Sequence, residues 1–150
     1  MYKLNKYFAI GGSAVVASVL AIAVTSVAAT VETYKNLATG FCLDSNTARN
    51  VYTNPCGRDN SFQKWTVIPA GSNRQLKNLA TGYCLDSNTA RNVYTNPCGR
   101  DNSFQKWTVI RVGSNIQLKN LATGYCLDSN TARKVYTNPC GRDNSFQKWD

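Results

Sequence analysis

The residues of this chain best suited to bind a ligand are an acid, a tyrosine and an amide that recur together. In the stretch CLDSNTARNVYTNPC, residues 42–56, they are Asp44, Tyr52 and Asn54. An ionised carboxylate only accepts hydrogen bonds and can accept from two adjacent hydroxyl groups, while a tyrosine ring offers an apolar face. Sugars present both hydroxyl groups and an apolar C–H face, so this set of side chains indicates a shallow sugar site.

Strand alternation is what would bring these side chains together. Leu43 and Val51 are expected to point into a core, which places Asp44, Tyr52 and Asn54 on the opposite faces of their two strands. For Asp44 and Tyr52 a purely structural role is the alternative to sugar binding. An Asp-Ser-Asn sequence readily bonds its own backbone at a turn, and a strand tyrosine is often simply half-buried. The residue types alone leave both interpretations open.

The same stretch occurs three times with a period of 42 residues, at 42–56, 84–98 and 126–140. Segments 75–107 and 117–149 differ only at Asn92 and Lys134, which predicts a slightly different third site. Three copies of one site suit a multivalent binder better than an enzyme. A glycosidase needs two carboxylates in unlike environments, and a repeat offers only Asp44 and Asp59. We therefore expect no catalytic activity and no cofactor.

Six cysteines fall in three pairs, each 14 residues apart. Equivalent repeats should pair equivalently, so we expect the disulfides Cys42–Cys56, Cys84–Cys98 and Cys126–Cys140. Closing a loop of this length is worth about 3 kcal/mol in the entropic view. A zinc site is the alternative, but the chain has no histidine and no CxxC motif, so no metal is expected.

The N-terminal segment differs from the rest of the chain. Lys3 and Lys6 precede an uncharged stretch, residues 8–29, that ends in Ser-Val-Ala-Ala. We interpret residues 1–29 as a signal peptide cleaved after Ala29, with an uncleaved membrane anchor as the alternative. The protein is then expected to be secreted, with no membrane insertion after cleavage. Residues 30–150 would form a single domain, with repeats at about 31–72, 73–114 and 115–150.

The net positive charge is compatible with a second class of partner. Without Lys3 and Lys6 the chain has 15 basic and 8 acidic residues, a net charge of +7. A polyanion partner is one explanation. The basic residues are, however, spread evenly along the repeats with no run of like charge, as on a solvated surface. We expect no nucleic-acid partner and a monomeric protein.

Each repeat contains only strand and turn signals. Four short strands per repeat predict about twelve in all, and three units are too few to close a propeller. We therefore predict an all-β fold, a pseudo-threefold β-trefoil. Trp65, Trp107 and Trp149 should lie in its core, and Gln63 should satisfy backbone groups of a nearby turn. The third repeat stops early, so strand 31–35 is expected to lie against the C-terminal end and complete the ring.

The motifs N-x-x-T-G-x-C-L-D, V-Y-T-x-P-C and Q-x-W resemble the repeat of ricin-type (QxW) β-trefoil lectins, a carbohydrate-binding family. The resemblance covers residues 30–150 and is greatest to mannose-binding members. It implies that the three acids hold sugar hydroxyl groups and that the tyrosines line the pockets. These residues are Asp44, Asp86, Asp128, Tyr52, Tyr94 and Tyr136.

The resemblance implies further pocket residues but is not complete. The aromatic residue before Q-x-W corresponds to Phe62, Phe104 and Phe146, which lack a tyrosine hydroxyl. Asn54, Asn96 and Asn138 stand where the pattern has leucine. Gly57 stands where a pocket asparagine is expected, and Asn60, Asn102 and Asn144 are candidates to replace it.

Together these features predict a multivalent lectin with three equivalent shallow pockets for glycans or glycoproteins, mannose-type glycans first. The alternatives are a galactose-type, ricin-like lectin and a basic trefoil that binds sulfated polyanions or a protein.

Overall fold

A computed structural model describes residues 29–150 of the chain. The predicted signal peptide, residues 1–29, lies outside the described residues except for Ala29. Within residues 29–150 no helix is long and apolar enough to cross a membrane.

The described residues form eleven short strands and three turns of 3₁₀ helix, which confirms the all-β prediction. The strands are β1 (Thr30–Glu32), β2 (Cys42–Ser45), β3 (Val51–Asn54), β4 (Trp65–Ala70), β5 (Asn73–Asn78), β6 (Cys84–Ser87), β7 (Val93–Asn96), β8 (Trp107–Val112), β9 (Asn115–Asn120), β10 (Cys126–Ser129) and β11 (Val135–Asn138). The 3₁₀ turns are Ser61–Gln63, Ser103–Gln105 and Ser145–Gln147.

Two kinds of antiparallel hairpin alternate along the chain. The first kind, β2–β3 and its copies β6–β7 and β10–β11, pairs CLDS with VYTN so that Asp44 stands opposite Tyr52. The second kind, β4–β5 and its copy β8–β9, runs from Trp65 opposite Asn78 to a turn at Gly71. Gly71 has a φ of 67°, a left-handed conformation that glycine adopts without strain.

The ring is closed by the N-terminal segment, as predicted. Lys35 and Asp150 exchange two backbone hydrogen bonds of 2.9 Å, and Asn36 bridges Trp149. Lys35 and Asn36 occupy the positions of Lys77 and Asn78 in β5, so this segment pairs with the C-terminal end as β5 pairs with β4. The beginning of the segment, β1, pairs instead with β4, where Glu32 stands opposite Trp65.

The three tryptophans lie at the centre of the core and are fully buried, as predicted. Each indole N–H donates to the carbonyl oxygen of the leucine in its own repeat, as from Trp65 to Leu43 at 3.2 Å, so each ring is anchored as well as buried. Leu43, Val51 and their copies are also buried, which confirms their predicted inward direction.

Tyr34 is the core residue that breaks the threefold repeat. It occupies the position of Leu76 and Leu118 and is 1% exposed, and its hydroxyl donates to Glu32 at 2.7 Å. Burial and the Glu32 carboxylate raise the pKa of Tyr34 well above its usual range. Glu32 also pairs with Arg74 at 3.3 Å, so the hydroxyl ties the core to a seam formed by β1 and β5.

We predict that Tyr34→Phe lowers the free energy of unfolding by about 1 kcal/mol, because it removes one hydrogen bond to a carboxylate while keeping the ring. Urea denaturation would measure the change. Tyr83→Phe is the matched control, since the first repeat already has Phe41 at that position. Equal stability of Tyr34→Phe and the wild type would show that the hydroxyl does not stabilise the seam.

Candidate functional site

Asp44 lies in the middle of β2 and is 2% exposed. Strand alternation predicted that it would occupy a face opposite the buried leucine, but all four residues of β2 are buried. The reason is that the 3₁₀ turn 61–63 packs on this strand and covers the side that alternation leaves outward. The acid is therefore a buried group, because the face opposite Leu43 is covered by this turn.

Three amide groups hold one oxygen of this carboxylate. Asp44 Oδ2 accepts from Gln63 Nε2 at 3.0 Å and, at 3.4 Å each, from Asn54 Nδ2 and Asn60 Nδ2. The other oxygen, Oδ1, is buried and has no hydrogen-bond partner within residues 29–150. A buried charged acceptor without a donor is costly, so this oxygen has capacity to accept a further hydrogen bond.

Gln63 has the role that the sequence predicted and one more. Its Oε1 accepts from the backbone N–H of Gly57 at 2.8 Å, and its Nε2 donates to the carbonyl of Pro55 at 3.0 Å. These are the predicted contacts with turn backbone. The additional bond to Asp44 means that the glutamine fixes the carboxylate relative to the loop that covers it.

Tyr52 is half-buried and stands directly opposite Asp44 in the hairpin. Its hydroxyl donates to the carbonyl of Ser45 at 3.3 Å. Burial and the nearby charge of Asp44 raise the pKa of this hydroxyl, so it is neutral and able to donate at neutral pH. The hairpin turn is capped by Asn46, whose side chain accepts from the N–H of Asn50 at 3.0 Å, so Asp44 is not the turn cap.

The predicted amides meet at the carboxylate. Asn60 caps the 3₁₀ turn by accepting from the N–H of Phe62 at 3.0 Å, and its NH₂ group faces Asp44. Phe62 is half-buried, and its carbonyl accepts from Asn78 at 2.7 Å. The acid, Asn54, Asn60 and Tyr52 are thus gathered at one place, whereas the hydrogen bonds of Phe62 are made by its backbone.

The arrangement repeats with little change in the other two copies. The glutamine bond to the acid is 3.0 Å in each, and the two asparagine bonds lie between 3.2 and 3.4 Å. The residues of the second site are Asp86, Tyr94, Asn96, Asn102, Phe104 and Gln105, and those of the third are Asp128, Tyr136, Asn138, Asn144, Phe146 and Gln147.

The three predicted disulfides are present, and their Cα atoms are 5.0 Å apart in each pair. Cys42 begins β2 and Cys56 follows the end of β3, so the bridge holds the open end of the hairpin together. It fixes the chain that leads into the loop over Asp44. The disulfide therefore supports the position of Asn60 and Gln63 as well as the hairpin itself.

A residue that sequence reasoning missed links each site to the preceding repeat. Arg133 of the third repeat donates from Nη1 to Asn54 Oδ1 at 3.0 Å, and its guanidinium stacks on the Phe41 ring at 5.1 Å. Its carbonyl also accepts from the N–H of Thr53 at 3.0 Å. The same contacts join Arg49 to the second site and Arg91 to the third.

These arginines adopt an unusual backbone conformation. Their φ angles are 67°, 67° and 64°, in the left-handed region that disfavours residues with a Cβ atom. The conformation costs about 1–2 kcal/mol relative to an ordinary one. No residue type in the TAR segment signals this conformation, because the left-handed region favours glycine, asparagine and aspartate. Three arginines thus hold their guanidinium groups against the sites at some cost in stability.

An all-β domain with an acid, a tyrosine and amides gathered at one place in each of three repeats is the architecture of a carbohydrate-binding β-trefoil. Residues 30–149 match the family model of the ricin-type beta-trefoil lectin domain. The chain belongs to this family and carries its carbohydrate-binding domain. No curated protein matches the chain.

Solved structures agree on the fold. The designed 3-fold symmetric protein ThreeFoil is 20% identical, with a TM-score of 0.71 over 79% of this chain and 95% of its own. The GlcNAcα1-4Gal-releasing endo-β-galactosidase of Clostridium perfringens is 15% identical, with a TM-score of 0.74 over 80% of this chain and 31% of its own. The hemolytic lectin CEL-III is 23% identical, with a TM-score of 0.67 over 80% of this chain and 29% of its own. At these identities the likeness establishes the β-trefoil fold alone.

We predict that Gln63→Leu lowers the free energy of unfolding by about 2–3 kcal/mol, because it removes the shortest bond to a buried carboxylate. A double-mutant cycle with Asp44→Asn identifies the cause. If the loss comes from the carboxylate, the two changes should be coupled by about 1 kcal/mol or more in urea denaturation. Additive changes would mean that Gln63 acts only through the turn backbone.

Proposed function

We propose that the protein is a secreted, multivalent lectin whose three sites bind glycans through Asp44, Asp86 and Asp128. The observation that carries the proposal is the free oxygen of each buried carboxylate. Oδ2 is held by three amides while Oδ1 has no donor within residues 29–150, and this is repeated in all three copies. A sugar hydroxyl can donate a hydrogen bond to that oxygen.

The site would bind a sugar by supplying complementary faces. One hydroxyl donates to Asp44 Oδ1, and the half-buried ring of Tyr52 packs against the C–H face of the pyranose. Asn54 and Asn60 carry further donors and acceptors for a neighbouring hydroxyl. Because Oδ1 is covered, the half-exposed side chains Tyr52 and Asn54 are the ones that would move aside when a ligand enters.

Repetition would supply affinity that a single shallow site lacks. A site with a Kd near 1 mM contributes about −4 kcal/mol. Linked sites raise the overall affinity by a factor of roughly 10² to 10⁴ when the ligand reaches more than one of them. The three sites sit on one rigid ring closed by backbone pairing of its two ends, so their spacing is fixed. Branched glycans and glycoprotein surfaces are the ligands that can use such spacing.

The proposed ligands are mannose-type glycans, with galactose-type glycans as the alternative. The preference for mannose rests on the motif resemblance. Secretion is proposed from the N-terminal sequence and fits three disulfides, which persist in oxidising compartments.

A glycan array with two matched variants tests the proposal. Asp44→Asn/Asp86→Asn/Asp128→Asn removes the three site carboxylates. Asp59→Asn/Asp101→Asn/Asp143→Asn makes the same chemical change at three exposed acids. We expect wild-type binding to be selective, to fall at least tenfold in the site variant because each hydroxyl loses a charged acceptor, and to persist in the control.

Thermal melting of both variants would separate loss of binding from loss of folding. Selective binding that survives in a folded site variant would show that the carboxylates are not the ligand-binding groups. Absence of any glycan signal for the wild type would refute the lectin proposal itself.

A further inference from the structure

Lys134, the one difference between segments 117–149 and 75–107, lies beside the first site. Lys134 forms an isolated backbone bridge with Tyr52. The equivalent bridges elsewhere join Asn50 to Tyr94 and Asn92 to Tyr136. The ring topology thus sets this lysine against the first site as well, and its effect on the third site stays a prediction. The junction between the third and first repeats has a lysine where the other two junctions have asparagine.

That junction forms an open groove of about 530 Å³. Its walls include Tyr52 and Asn54 from the first repeat and Arg133, Lys134 and Tyr136 from the third. Both basic side chains belong to exposed residues, while Tyr52 and Asn54 are half-buried. The groove thus combines two cations with aromatic and amide groups of the proposed sugar site.

Arg133 is held in place but its charge is not neutralised. Asn54 fixes one N–H of the guanidinium, and the Phe41 ring supports its face. Within residues 29–150 the single ion pair closer than 4.0 Å joins Arg74 to Glu32, so neither Arg133 nor Lys134 has a carboxylate partner. The remaining guanidinium N–H groups suit a planar or tetrahedral oxyanion, which they can bind in bidentate fashion.

One hydrogen-bonded chain connects this cation to the proposed sugar site. Asn54 accepts from Arg133 through Oδ1 and donates to Asp44 through Nδ2. Asp44, which can accept from a sugar hydroxyl, and Arg133, which can donate to an oxyanion, are therefore separated by one asparagine side chain. A ligand that satisfies both has hydroxyl groups and a negative charge on the same or the adjacent sugar ring.

We propose that this groove binds the carboxylate or sulfate group of an acidic saccharide whose neighbouring hydroxyl contacts Asp44. The inference rests on the proposed lectin function and specifies the ligand class of its first site. The strained backbone of Arg133 supports it, because a left-handed residue at a junction would be glycine if only the turn mattered. Arg49 and Arg91 make the same contacts without a lysine, so their junctions bind oxyanions more weakly.

Matched sugars on one array test the inference. The probes are mannose, mannuronic acid and mannose 6-sulfate, with galactose, galacturonic acid and galactose 6-sulfate as the second series. At low salt we expect acidic members to bind about tenfold more tightly than the neutral parent, as a charge-assisted hydrogen bond allows. At about 0.5 M NaCl the excess should shrink, because exposed charges are screened. Comparison of the uronate with the sulfate identifies which oxyanion fits.

Three variants locate the effect. Lys134→Asn makes the junction match the other two and should reduce the acidic excess two- to threefold. Arg133→Gln/Lys134→Asn should abolish the part of the acidic excess that the first site supplies, where the excess is measured against the neutral sugar on the same variant. Asn50→Lys places a second lysine on the lining of this groove, at the bridge to Tyr94, and should increase binding of acidic sugars. Such a gain cannot result from misfolding.

Several results would overturn the inference. Equal binding of acidic and neutral sugars would do so and leave the lectin proposal standing, whereas absence of all sugar binding would refute both. An acidic excess that survives in Arg133→Gln/Lys134→Asn, with no gain in Asn50→Lys, would assign the effect to another surface. Equally strong, salt-sensitive binding of duplex DNA would show a general polyanion surface rather than a saccharide groove.

Discussion

The buried carboxylate of Asp44 and its two copies is the group on which the rest of each repeat is arranged. A charged side chain that is 2% exposed must have its hydrogen bonds supplied by the protein. The donors come from the end of β3, from the loop that caps the 3₁₀ turn, and from the glutamine two residues before the core tryptophan. The same glutamine holds the loop backbone, so the acid, the loop and the tryptophan strand are fixed together. The binding site and the core are thus built by one network of hydrogen bonds.

The repeats are not independent modules joined in a row. β3, β7 and β11 each pair at one point with the hairpin turn of the preceding repeat. An arginine in each of these turns donates a hydrogen bond to the asparagine of the next site. The first repeat receives this contact from the third, because the N-terminal segment pairs with the C-terminal end and closes the ring. A substitution in a hairpin turn therefore alters the contacts of the neighbouring site. This explains why Lys134, in the third repeat, lies against Tyr52 in the first.

The sequence predicted the structural features that lie within one repeat or recur in all three. The three disulfides, the buried tryptophans and the strand hairpins follow from spacing and alternation within one repeat, and the β-trefoil follows from their number. Ring closure was predicted for strand 31–35, and the contacts with the C-terminal end are made by Lys35 and Asn36. Alternation could not show that Asp44 is buried, because a loop from later in the chain covers that face of the strand. The arginine contacts could not be predicted, since Arg133 and Asn54 are 79 residues apart and meet only through a left-handed backbone.

The proposed lectin activity depends on sugars binding at the carboxylates of three equivalent buried acids. The most direct measurement is an NMR titration with methyl α-mannoside and methyl β-galactoside that follows the side-chain amides of Gln63, Gln105 and Gln147. Each of these amides donates to a site carboxylate at 3.0 Å, so a hydroxyl that binds the same carboxylate should shift its signal. The account predicts saturable shifts of all three amide signals with one of the two sugars. Saturable shifts elsewhere on the protein, with these three signals unmoved, would contradict it.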